Sequence, residues 1–125
     1  MRKLALTAAA LLMVAPVAFT QGHGHGDKKG PNGGPIQDVV GIEAELVVAG
    51  RILTVYLHDE AGKSVPATGY SGSALVGTEQ ARQVIQLAPG NGNVLSGTAP
   101  TAIPPGARVT LQIKDPSGKS GQAKF

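Results

Sequence analysis

From Pro35 to Phe125 the chain is broken by frequent turn residues and carries no helical periodicity of useful length. Short runs rich in β-branched and apolar residues lie between the interruptions, at 36–40, 42–48, 52–59, 71–77, 82–87, 93–97, 109–114 and 121–125. The punctuation is Ala49-Gly50, Gly62, Pro89-Gly90-Asn91-Gly92, Pro104-Pro105-Gly106 and Asp115-Pro116-Ser117-Gly118. Runs of this length and spacing, without a helical period, predict an all-β domain. The expected architecture is an Ig-like antiparallel β-sandwich of seven or eight short strands.

The first hairpin can be read residue by residue. A two-residue turn at Ala49-Gly50 pairs Ala44 with Val55 and Ile42 with Leu57, and places Ile42, Ala44, Leu46, Leu53, Val55 and Leu57 on the core face. The other face then carries Glu43, Glu45, Tyr56 and His58. Two carboxylates two residues apart, with an imidazole diagonally across, form an oxygen and nitrogen donor set suited to borderline divalent ions. The ordinary expectation for such a face is nevertheless a solvated surface with cross-strand polar contacts. A one-residue slip in register would scatter the set.

Two turns echo each other, HDEAGKS at 58–64 and KDPSGKS at 114–120. Each has an Asp leaving a strand and a Gly three residues later, followed by Lys-Ser. A phosphate-binding loop would need a glycine five positions before the second one, where Leu57 and Ile113 stand. The expected role is structural, with the Asp side chain accepting bonds from the turn amides and glycine supplying a positive φ.

The start of the chain is of another kind. Residues 1–20 read MRKLALTAAALLMVAPVAFT, with a basic start at Arg2 and Lys3, an apolar run from Leu4 to Phe19 and small residues near its end. That order is the signature of a cleaved secretion signal. The apolar run is shorter than the roughly 20 residues of a membrane span, and Pro16 interrupts it. The expected organisation is therefore a signal peptide over 1–20, a His/Gly-rich flexible tail over 21–34 and the β-domain over 35–125. No stable membrane insertion is expected after cleavage, and the expected compartment is the periplasm.

Small residues three positions and one position before the cut are favoured by the processing site. Cutting after Thr20 leaves Gln21-Gly22-His23 at the new N-terminus, and cutting after Gly22 leaves His23 first. In the first case a free amine, two deprotonated backbone amides and the His23 imidazole can surround one ion in a plane, a geometry that favours Cu(II) or Ni(II). Cyclisation of Gln21 would remove that amine. In the second case the amine and imidazole of His23 chelate together, with His25 as a third ligand. Asp27 can add an oxygen. No packing role accounts for His23-Gly24-His25, although a short His tract is by itself only compositional.

Composition removes several alternatives. The chain has no cysteine, so thiolate metal sites, disulfides and lipid attachment through cysteine are excluded, and any ion is held by nitrogen and oxygen. Loss of Arg2 and Lys3 with the signal leaves nine basic against eight acidic residues, so nucleic acid is not an implied partner. Tryptophan is absent, and only Tyr56, Tyr70 and Phe125 remain as aromatics, too few for a stacking platform. No zinc-enzyme helix motif or nucleophile elbow occurs, so an enzyme is not expected.

The segments GPNGGPIQDVV, AELVV, LTVYLHDEAGKSVPA, NVLSGTAP and the terminal QAKF resemble those of small periplasmic proteins of alphaproteobacteria. Similar modules occur beside heavy-metal efflux systems of the resistance-nodulation-division class, and the likeness spans most of residues 31–125. It implies the β-fold and the exported compartment more than a mechanism. In that group a histidine often precedes the ELV segment, near the position held here by Glu43. The departure leaves His23 and His25 as the better metal candidates, with His58, Glu43 and Glu45 secondary. The expected function is buffering or delivery of Cu(II), Ni(II) or a similar ion. The alternative is an interaction module without metal chemistry, docking a strand edge or loops on an efflux adaptor or another envelope protein.

Overall fold

The computed structural model describes residues 28–78 and 80–125. Among them there is no helix. Eight strands follow in chain order: β1 Ile36–Val39, β2 Ile42–Ala49, β3 Ile52–His58, β4 Ser71–Thr78, β5 Ala81–Pro89, β6 Val94–Thr98, β7 Val109–Lys114 and β8 Ser120–Lys124. Every expected run overlaps one of them, with ends displaced by two residues at most.

All neighbouring strands are antiparallel, and their order across the sheet is β1-β2-β3-β6-β5-β4-β7-β8. The expected sandwich of two separate sheets is thus one nearly closed, barrel-like sheet. The join is β5. Its residues 81–87 pair with β4, while Ala88 and Pro89 pair with β6, so one strand passes from one side of the barrel to the other. Pro89 has no amide hydrogen to continue the ladder, which limits the second pairing to the strand end.

The interior follows from period-two alternation. Leu53, Val55, Leu57 and Leu95 from one side meet Val76, Ile85, Leu111 and Ile113 from the other, all at most 1% exposed. The seam between β1 and β8 is tight. A Cβ added at Gly121 would lie 2.9 Å from the backbone nitrogen of Val40, so glycine lets the two edges approach. The sheet edges anticipated for partner docking therefore lie along one another.

Both echoing turns behave as expected. Asp59 Oδ1 accepts from the amides of Ala61 (3.0 Å) and Lys63 (2.8 Å), and Asp115 Oδ1 accepts from those of Ser117 (2.9 Å) and Lys119 (3.0 Å). The amides that a phosphate would need are thus already engaged. Gly62 and Gly118 have φ of 83° and 93°.

Candidate functional site

The β2–β3 hairpin turns at Gly50-Arg51, with Ala49 opposite Ile52, rather than at Ala49-Gly50. The ladder shifts by two residues, so Ala44 pairs with Leu57 and Leu46 with Val55. An even shift preserves the faces. Of the six residues expected in the core, five are buried and Ile42 is half-buried. The shift also changes the neighbours on the other face, where Glu43 now stands directly opposite His58 and Glu45 opposite Tyr56. β1 extends both rows, with Asp38 opposite Glu43 and Ile36 opposite Glu45. Asp38, Glu43 and His58 thus form one cross-strand row of three donors, of which Asp38 was not anticipated.

That face is not the solvated surface expected of it. Residues 28–34, which the sequence places in a mobile tail, fold back over the hairpin. Lys29 bridges Pro35, the Gly30 amide donates to the Gly34 carbonyl (2.8 Å), and the Ile36 amide donates to the Lys28 carbonyl (3.1 Å). The Leu46 amide donates to the Pro35 carbonyl (3.0 Å), which fixes the end of this flap on β2. Neither Gly30 nor Gly34 has room for a Cβ, which would meet the Glu45 side chain in one case and the Leu46 carbonyl in the other.

Glu45 holds the flap from below. Its carboxylate accepts from the Asn32 amide (2.8 Å), the Asn32 side-chain Nδ2 (3.1 Å) and the Gly34 amide (3.0 Å), and the residue is 0% exposed. These bonds compensate the cost of removing a carboxylate from water. Nothing in the composition of PNGG marks it as a cover for Glu45. The three amide donors become visible only when the chain reverses over β2.

His58 is 5% exposed, and neither of its ring nitrogens has a hydrogen-bond partner. Nε2 lies 3.5 Å from Glu45 Oε1, too far for a well-formed hydrogen bond. Lys114 provides an internal comparison, because it occupies the same place in the echoing turn and pairs with Ser120 as His58 bridges Ser64. Lys114 is exposed. The position in the turn therefore does not by itself account for the burial of His58.

Glu43 accepts a hydrogen bond from Lys28 Nζ at 2.9 Å. That bond, and after it the negative charge of Glu43, raise the pKa of Lys28 above the ordinary lysine value, with a smaller contribution from the charge of Asp38. Lys28, Gly30, Glu43, His58 and Glu60 border an open cleft of about 320 Å³ between the flap and the 59–62 turn.

His23, His25 and Asp27, the leading metal candidates, lie outside the described residues, as do the signal segment and both cleavage positions. Among the described residues, no group of three or more His, Asp or Glu side chains is arranged to hold a metal ion, so His58, Glu43 and Glu45 do not form one. No described helix is long and apolar enough to cross a membrane. Comparison with protein-family models, curated proteins and solved structures finds no match to this chain.

Proposed function

We propose that the chain is exported to the periplasm, loses its signal peptide, and binds Cu(II), Ni(II) or a similar divalent ion through His23 and His25, with Asp27 as an oxygen donor. It acts as a buffer or delivery partner in metal tolerance, beside an efflux adaptor or another envelope protein. The observation that carries this reading is where the histidine segment joins the barrel. It enters at Lys28, on the wall of a cleft that also contains Glu43 and a buried histidine without hydrogen-bond partners. Imidazole and carboxylate together suit borderline divalent ions, and the absence of cysteine leaves no thiolate to compete.

Native mass spectrometry of the protein isolated from its periplasm, with and without Cu(II) and Ni(II), tests both parts. The reading expects a mass starting at Gln21 or His23 and one retained ion. A chain that keeps residues 1–20, or one that holds no ion, contradicts it.

A second reading, an interaction module without metal chemistry, draws on a separate feature. An open cleft of about 480 Å³ lies at one end of the barrel, lined by Val76, Ala81, Ala102, Pro104, Pro105 and Ala107 among others. With β1 and β8 lying along each other, docking would use this cleft rather than a free strand edge. Metal affinity that disappears with His23 and His25 separates the two readings.

A further inference from the structure

We infer that the end of the barrel carrying its arginines is a docking face for an acidic segment of a partner polypeptide, with a small apolar residue of that segment seated in the cleft of about 480 Å³. The inference rests on the second reading above, docking without metal chemistry, and names the chemistry of the partner.

Strand pairing sorts the charged residues by end. Arg51 occupies the β2–β3 turn, and Arg82 stands opposite Gly77, whose amide donates to the Arg108 carbonyl (3.0 Å). The Ala99 amide donates to the Arg51 carbonyl (2.7 Å) and the Ile103 amide to that of Gly50 (2.9 Å), so the 99–108 segment joins these positions at one end. Every arginine from Pro35 to Phe125 is therefore there, accompanied by a single described lysine, Lys124. Lys28, Lys29, Lys63, Lys114 and Lys119 lie toward the opposite end, with Asp38, Glu43, Asp59, Glu60 and Asp115. Glu45 is enclosed beneath the flap. Glu79, between Thr78 and Gln80 in sequence, lies outside the described residues, and the formal charge of the arginine end stays positive with it counted.

Protein interfaces are enriched in arginine and depleted in lysine, and the arginine fork pairs with a carboxylate through two parallel bonds. Arg108 lines the cleft and is exposed, and its guanidinium has no partner among the described residues. Gln83, also on the lining, has its side-chain oxygen engaged by the Thr101 amide (3.1 Å), so what it offers a ligand is its Nε2 donor. Short apolar side chains, Ala81, Ala102 and Ala107 among them, make up much of the remaining wall. Pro104, Pro105 and Gly106 continue this surface into a second cleft of about 290 Å³ that reaches Val48. Val48 and Ile52 flank the turn that holds Arg51, and they are two of the three large apolar side chains exposed among the described residues. Donors set around short apolar groups suit a chain of carboxylates and small apolar residues. They suit an anionic membrane less, because the apolar surface is concave and has no side chain to insert.

The test uses the mature chain without metal and three short synthetic peptides, in which valine alternates with glutamate, with glutamine or with lysine. Methyl ¹H–¹³C spectra of wild-type protein are recorded as each peptide is added. The inference expects the glutamate peptide to shift the methyl signals of Ala81, Ala102 and Ala107, and to bind at least about 10-fold more tightly than the glutamine peptide. It also expects Arg108→Gln to weaken the glutamate peptide by about 10-fold, the scale of losing one well-placed interface arginine. Equal binding of the glutamate and glutamine peptides overturns the inference and leaves an uncharged docking cleft, so the second reading survives. No shift at these methyls with any of the three, at millimolar peptide, removes the cleft as a docking face and the second reading with it. Binding to phosphatidylglycerol vesicles but not to the glutamate peptide overturns the inference in favour of a membrane surface. The wild-type series decides between these outcomes even if Arg108→Gln disturbs the fold.

Discussion

Glu45 shares its face of β2 with Glu43 and Val47, both half-buried, yet it alone of the three is fully enclosed. The difference arises from donors supplied by a segment ten or more residues earlier. Removing the carboxylate would leave the Asn32 and Gly34 amides unpaired beneath the flap, and bonds to a charged acceptor are the stronger kind. Glu45→Ala is expected to lower the unfolding free energy by about 2–4 kcal/mol in urea titrations. It is also expected to accelerate amide exchange at Asn32 and Gly34. Unchanged exchange there would show that the flap is held by something other than Glu45.

Lys28 carries a pH signature at the same scale. Its pKa is raised in the folded protein, mainly by the hydrogen bond to Glu43, so its contribution is fully present below the ordinary lysine pKa. It is lost as pH rises through the higher folded value. Lys28→Met is expected to remove this alkaline component, seen as a flatter dependence of the urea midpoint on pH above about pH 10. The effect is small, because an exposed pair contributes little to stability.

At the scale of elements, the 114–120 turn works in the opposite pH range. Asp115 has its pKa lowered chiefly by the Ser117 hydroxyl at 2.6 Å, and further by the Lys119 and Ser117 amides. A depressed folded pKa gives stability that is present above the unfolded value and lost as pH falls through the folded one. Asp115→Ala should therefore destabilise at about pH 6, and the gap from wild type should close towards about pH 2, by thermal midpoints. A gap that persists at the acid end would place the effect in turn geometry instead.

These turns also mark what could be read from the chain alone. Strands and turns depend on neighbours close in sequence, so alternation from Ile42 to Leu57 and the Asp-to-Gly spacing were legible. The hairpin register was displaced by two residues because Gly50-Arg51 and Ala49-Gly50 offer the same local signal. The cover over Glu45 was not legible, since Pro31-Asn32-Gly33-Gly34 reads as a linker until β2 lies beneath it. His58 sits in a turn whose twin exposes Lys114, so its burial is a tertiary effect with no local signature.

For the whole molecule, closure of the sheet organises both stability and site. An open eight-stranded sheet would leave two edges able to recruit other chains. Here β1, which supports the flap, lies against β8 at the other end of the strand order. The seam admits only a hydrogen at Gly121, so Gly121→Ala forces the Val40 backbone aside. An expected loss of about 1–3 kcal/mol, typical of overpacking, would appear as a lower urea midpoint. An unchanged midpoint would show that the seam accepts a methyl group.

The central claim is that this barrel serves a metal centre built around its N-terminal histidines. A competition titration with Cu(II), comparing the mature chain with the His23→Ala/His25→Ala double variant, tests it most directly. The account predicts affinity weakened by about 100-fold or more, equivalent to about 2.7 kcal/mol, with the fold intact. Equal affinity in the two proteins would contradict it.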